Sequence, residues 1–176
     1  MTTRIAVTGT PGVGKTTATE ELDLPVCHLN DAIRAAELFT ERDQNRDSLV
    51  ADLAAVERYV DDWVTERSAD VVVIESHLAH HLSADRVVLL RCRPDLLADR
   101  LRDRGESEAS VAENGESEAL DVIAGEAIDE HGRDAVYEID STDRDPTETA
   151  DAIRAVIDGD REPAVGTVDF LRFLHD

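Results

Sequence analysis

The sequence predicts an α/β domain in which a parallel sheet is flanked by helices. Three observations carry that expectation. Short apolar runs of β type alternate with amphipathic helical stretches along the chain. One of those runs, Val71 to Ile74, is β-branched or otherwise apolar throughout, the pattern of a strand covered on both faces. And 41% of the 176 residues are hydrophobic, enough to bury a proper core in one unit spanning 1–176.

The elements follow in order. Arg4 to Thr8 reads as a first strand, and a glycine-rich turn leads into a short helix near Gly14 to Leu22. Pro25 to Leu29 is a second, short strand. Asp31 to Leu38 is a helix, with Asn30 as its N-cap. A polar stretch, TERDQNRDS, then interrupts the pattern. Leu49, Leu53, Val56, Val60 and Trp63 recur at helical spacing and predict one long helix from Leu49 to Arg67. After the Val71–Ile74 run, Arg86 to Cys92 is a further strand, and Pro94 opens a helix with Leu96, Leu97 and Leu101 on its apolar face. Arg104 to Asn114 is polar and acidic, with little to bury. A helix resumes at Leu120 to Ile128, Ala135 to Ile139 is a last strand, and Pro146 to Ile157 a last helix. The stretch VDFLRFL near the end has the composition of a docking helix.

Charge narrows the setting. Forty acidic residues stand against 18 basic ones, a net of -22. Such a surface repels itself unless salt screens it, and at ~1 M salt the Debye length falls to roughly 3 Å. The acidity points to a salt-rich cytoplasm of the kind halophilic archaea keep, and it disfavours non-specific binding to a nucleic-acid backbone. No secretory n-region and no run of ~18 apolar residues is present, so neither export nor a membrane span is expected. Cys27 and Cys92 each lie in an apolar run and read as buried core thiols; without a CxxC, a cysteine-based zinc site is excluded.

The chemistry begins at Gly9-Thr10-Pro11-Gly12-Val13-Gly14-Lys15-Thr16, which fits G-x-x-x-x-G-K-[ST] in full, between a strand and a helix. Backbone N–H groups from Gly12, Val13, Gly14, Lys15, Thr16 and Thr17 can curl around phosphate oxygens, aided by the positive end of the helix. Lys15 would reach the β- and γ-phosphates, and the Thr16 hydroxyl would ligate Mg²⁺. Lys15 is the one lysine among the 18 basic residues. A slim ammonium can lie along the loop where arginine's wider planar fork cannot, so a composition that removes lysine elsewhere would keep it here.

A second constellation, Glu75-Ser76-His77, follows the Val71–Ile74 strand. In open α/β sheets ligands lie at the carboxyl ends of the strands, so Glu75 is placed to hold Mg²⁺ or its water shell and His77 to orient a water or contact phosphate. Phosphoryl transfer also needs positive charge, for which Arg34, Arg100, Arg102 and Arg104 are candidates. His77, His80 and His81 stand at ligand-like helical spacings, yet nothing near them in sequence supplies a further ligand set.

Three stretches taken together, IAVTGTPGVGKTT, ESHLAHHLSADRVVLLRCRPDLLADRL and RGESEASVAENGESEALDVI, resemble the adenylate kinase isoenzyme 6 family, the CINAP-type nuclear ATPases of eukaryotes and their archaeal counterparts. The resemblance covers most of residues 4 to 157. It implies a P-loop NTPase of nucleoside-monophosphate-kinase type with a short lid. An AMP-binding segment would span about 28–51, with Asp31 and Arg34 matching the family's Asp-x-x-Arg. The lid would span about 103–113, with Arg104 matching a nucleotide-contacting arginine. The family's Asp-x-His falls on Glu75 and His77, the acid here being one methylene longer. By implication the chain is a broad-specificity adenylate kinase using ATP, AMP and Mg²⁺, with ATPase activity as well. The resemblance also implies a role in small-ribosomal-subunit maturation through a basic platform ribosomal protein, followed by cleavage at the 3′ end of the small-subunit rRNA. One alternative is a chain that is mainly an ATPase switch for a ribosomal protein; another is a kinase of a small metabolite, of shikimate or nucleoside type, which shares the loop.

Overall fold

A computed structural model describes residues 1–43 and 48–175. Strand β1 (Thr3–Thr8) runs into the glycine loop and helix α1 (Lys15–Glu20), after which β2 (Val26–His28) passes directly into α2 (Leu29–Ala35). A small hairpin, β3 (Phe39–Asp43) and β4 (Ser48–Ala51), precedes α3 (Leu53–Thr65). Then come β5 (Val71–Glu75), β6 (Arg86–Arg91), α4 (Pro94–Asp103), α5 (Glu108–Ala119), α6 (Val122–His131), β7 (Val136–Asp140) and α7 (Pro146–Ile157).

Among the described residues five strands form one sheet in the order β2-β5-β1-β6-β7, and every pairing in it is parallel. The expected α/β architecture is therefore present. The period of two in β1 separates two cores. Ile5 and Val7 face the side covered by Ala18 of α1, Leu97 and Leu101 of α4, and Ile153 and Val156 of α7. Ala6 faces the other side, with Leu29 and Ile33 of α2, Val56, Val60 and Val64 of α3, and Ala124 and Ala127 of α6. Helices on both faces explain why the strands read as unbroken apolar runs rather than as alternating ones. With β1 central, its carboxyl end and the glycine loop after it lie over the middle of the sheet.

Several boundaries differ from expectation, each for a local reason. Asn30 does not cap α2. Because β2 enters the helix without a loop, His28 takes the N-cap position, and Asn30 lies in the first turn, where its Oδ1 accepts from Ser76 Oγ at 2.8 Å. The helix expected from Leu49 begins at Leu53, since Asp52 caps it by accepting from Ala55 N at 3.2 Å. Leu49 instead pairs with Arg42 in the hairpin, so the polar stretch is partly strand; its residues 44–47 lie outside the described ones. Polar residues conceal this hairpin because most of β3 is exposed and needs no apolar face.

The acidic stretch Arg104–Asn114 holds the start of α5, where Ser107 accepts from Ser110 N. The next helix starts at Val122 rather than Leu120, which is nearly half exposed. Near the end, Ala164 bridges in parallel to Tyr137, Phe170 is buried, and Leu171–His175 forms a 3₁₀ turn rather than an α-helix. Cys27 and Cys92 are buried free thiols. Among the described residues, no helix is long and apolar enough to cross a membrane.

Candidate active site

The glycine loop wraps back on itself through two positions that reject a Cβ. Gly9 has φ +146°, and a Cβ there would lie 2.6 Å from the Leu90 carbonyl oxygen. Gly12 has φ +96°, and its Cβ would lie 2.8 Å from Leu97 Cδ1 and 3.1 Å from Leu101 Cδ2. The loop is thus pressed onto β6 on one side and α4 on the other. Ser141, just after β7, adds a tie from its Oγ to the Val13 carbonyl at 2.9 Å.

Lys15 is buried within this curl. Its Nζ donates to the carbonyl oxygens of Gly9 at 2.7 Å and Thr10 at 3.1 Å. Burial, with Glu75 and Glu118 pulling the other way and the positive field of Arg104 adding to it, brings its pKa down to about 8. The ammonium is therefore the protonated form at neutral pH but is poorly compensated, a state that a bound anion would stabilise.

Glu75 ends β5 and is buried, as its place after a β-branched run suggested. Its Oε1 accepts from Thr16 Oγ1 at 3.2 Å, and its Oε2 lies 2.9 Å from His28 Nδ1. Ser76 continues the strand end: its Oγ donates to Asn30 and accepts from Leu78 N at 3.0 Å. His77 faces the same cleft, and burial, with Lys15 and the neighbouring histidines behind it, lowers its pKa to about 4, so the imidazole is neutral at pH 7. The hydroxyl of Thr16 and the carboxylate of Glu75 are hard oxygen donors brought to one point beside the loop. That donor set fits Mg²⁺, which favours carboxylate and hydroxyl oxygens together with phosphate oxygens and water.

These groups line a cleft of about 800 Å³. Gly12 to Thr17 form its floor; Arg34 of α2, Arg100 and Asp103 of α4, and Arg104 and Arg144 add walls. Arg100 donates to the Gly12 carbonyl at 3.3 Å, tying α4 to the loop. Two candidates lie elsewhere. Asp31 is exposed and outside the cleft lining, and Arg102 pairs with Asp99 and Glu108 on the surface.

Sequence reasoning missed the group that braces the loop from beneath. Thr10 Oγ1 donates to Glu118 Oε2 at 2.6 Å, and Glu118 Oε1 accepts from Arg91 Nε at 2.8 Å and Cys92 N at 3.0 Å. Arg91 is fully buried and also bonds Glu138 Oε2 at 2.9 Å and Asp121 Oδ1 at 2.5 Å. Burial alone would weaken the guanidinium's hold on its proton, but Glu118 and Asp121 outweigh it and raise the pKa. Glu138 Oε1 in turn accepts from Thr167 N and Oγ1, both at 2.8 Å. The available signal was Arg91 itself, a charge closing the apolar run VVLL, which a buried strand tolerates only with partners.

A parallel sheet flanked by helices, with a phosphate loop after its central strand, defines a P-loop protein of kinase-like α/β fold. The solved shikimate kinase from Bacteroides thetaiotaomicron has this fold: it superposes with a TM-score of 0.54 over 89% of this chain and 98% of its own, at 22% identity. The chain belongs to the AAA-domain family AAA_18, whose match covers residues 5–121, and groups with archaeal proteins described as "Putative adenylate kinase". One from Natronomonas pharaonis is 60% identical over 173 residues, covering 97% of this chain and 99% of the relative. One from Halobacterium salinarum strain R1 is 52% identical over 174 residues, covering 97% and 99%.

Proposed function

We propose that this chain is an adenylate kinase of broad nucleoside-monophosphate specificity, converting ATP and AMP to two ADP with Mg²⁺. The observation that carries the reading is a single cleft with cationic groups on separate walls. Lys15 lies on the loop, Arg34 on α2 and Arg104 beyond α4, so two anionic nucleotides can meet above one strand end. The relatives described as "Putative adenylate kinase" support the same reading.

In this mechanism the N–H groups of Gly12 to Thr17 hold the triphosphate, and Lys15 follows charge onto the β- and γ-phosphates. A phosphate oxygen of AMP attacks the γ-phosphorus in line, the bond to the β,γ-bridging oxygen breaks, and ADP departs from each side. Thr16 and Glu75 would hold Mg²⁺, which neutralises charge on the β- and γ-oxygens when bound. His28 steadies the second oxygen of Glu75. His77, neutral at working pH, contacts a phosphoryl oxygen or orients water. Arg104 grips ATP from a lid at about 103–113, which includes the first turns of α5. Arg34 grips the AMP phosphate from a segment at about 28–51, and Asp31 reaches the acceptor when that segment closes inward, excluding water.

A second reading is favoured by the neutral His77 beside the phosphate loop and by the net charge of -22. It is an ATPase of the adenylate kinase isoenzyme 6 type, with His77 positioning water and a basic small-subunit platform ribosomal protein as partner in rRNA 3′-end maturation. In both readings the chain acts as one unit, in the cytoplasm. The deciding experiment follows ADP and free phosphate from ATP in high salt, with AMP present or absent. AMP-dependent ADP formation with negligible free phosphate supports the kinase. Phosphate release without AMP, raised by the platform protein, supports the ATPase, and no ATP turnover under any condition refutes both.

A further inference from the structure

The histidines left over from the strand-end motif acquire a partner that sequence spacing did not supply. His77 faces the cleft, whereas His80 and His81 turn away from it onto α6. There His80 Nε2 lies 2.8 Å and His81 Nε2 3.6 Å from one atom, Glu126 Oε2. The two rings are 4.1 Å apart between centroids and tilted by 41°. None of the three side chains lines the nucleotide cleft.

We propose that His80, His81 and Glu126 form a binding site for a zinc-class divalent ion, separate from the nucleotide's Mg²⁺. Ligand atoms from the three lie within 4.8 Å of one another. In addition, the His80 ring nitrogen that would face away from the metal is already engaged, with Nδ1 2.7 Å from Thr8 Oγ1, while Glu130 Oε1 stands 3.7 Å from His81 Nδ1, near but beyond hydrogen-bond reach. Metal-binding histidines commonly hold an outer partner in this way, and the Thr8 hydroxyl, able to accept from Nδ1–H, orients the His80 ring. His131 holds the backbone in place by bonding the His80 carbonyl at 2.7 Å.

The spacing is close to what the ion needs. Two ligands of a tetrahedral zinc, each ~2.0–2.1 Å from it, lie roughly 3.3 Å apart. The His81–Glu126 distance, 3.6 Å, needs to close by only about 0.3 Å. The His80–Glu126 distance must open by about half an ångström on the same measure, a movement open to Glu126, whose side chain is 44% exposed. Two imidazole nitrogens and one carboxylate oxygen suit zinc or its neighbours better than Mg²⁺, which prefers an all-oxygen shell. His80 is buried while His81 and Glu126 reach solvent, leaving an entry path and room for water as a fourth ligand. Once bound, the ion would clasp the turn after β5 to α6, three residues beyond His77.

The test uses the full-length chain without a histidine tag, stripped with chelator and titrated with ZnCl₂ in high salt containing excess Mg²⁺. One equivalent should bind, with a rise in Tm, and the Co²⁺ form should show the visible absorption of a four-coordinate N/O site. His81→Ala and Glu126→Gln, both at surface-reaching positions, should each weaken binding by about tenfold or more and remove the Tm shift. A Cys27→Ser/Cys92→Ser variant should bind as the parent does. Absence of stoichiometric binding overturns the proposal, as does binding unchanged in the His81 and Glu126 variants or lost in the cysteine variant.

Discussion

Lys15 lies in a pocket of backbone carbonyls with its proton held less firmly than in water, and arginine's wider planar fork differs from it in donor geometry. Lys15→Ala is expected to lower phosphoryl-transfer rates by about a hundredfold or more, read from ADP formation at saturating nucleotide. Lys15→Arg should not restore activity. Arg34 is separable from the loop: Arg34→Ala should raise KM for AMP about tenfold and leave KM for ATP nearly unchanged. At this scale the sequence was most informative where the site is local. The loop is eight consecutive residues and the strand-end acid follows its own apolar run, so both could be read directly. Glu118 could not, since 108 positions separate it from the threonine it holds. The two thiols offer a pH test. Burial raises Cys27 and Cys92 from 9.0 to about 11. The folded state therefore keeps these protons more tightly than the unfolded chain, so the associated stability is intact below pH 9. It declines as pH rises toward 11, by on the order of 2–3 kcal/mol per thiol. Alkylation at pH 8 should be negligible in the folded protein and complete in denaturant.

Helix α7 depends on its first turn. Asp145 accepts from Glu148 N at 2.8 Å, Glu148 reaches back toward Asp145 N, and Pro146 occupies the position where a missing N–H costs nothing. Asp145→Ala should destabilise the protein by about 0.5–2 kcal/mol in denaturant titration, with little effect on nucleotide affinity. The sequence predicts this helix from Pro146 to Ile157, and it lies there, although its capping pair was not read in advance. Helices α3 and α5 were placed less well. In α3 the apolar spacing ran on through Leu49 although Asp52 stops the helix, because periodicity does not distinguish a strand residue that happens to fall in phase. In α5 only Val111, Glu118 and Ala119 are buried, too sparse a stripe to reveal a helix.

Across the whole molecule, a net charge of -22 spread over a small domain makes compactness depend on screening. Tm should rise steadily between low salt and molar KCl, most steeply at the lower concentrations where the Debye length shortens fastest. A flat profile would mean that internal pairing already cancels the repulsion. The parallel sheet itself was legible because both its faces are covered, whereas the hairpin β3–β4, covered on neither face to the same extent, was not. The buried cluster around Arg91 has a consequence for how the protein is made. It joins Thr10 to Glu118 and, through Glu138, to Thr167, while β1 waits for partners that begin at Val71 and Arg86. Synthesis has thus passed residue 167 before the phosphate loop gains this brace. Nascent chains stalled before residue 167 should fail to retain ATP analogues, while chains released past it should bind them, placing the birth of the site after that residue emerges.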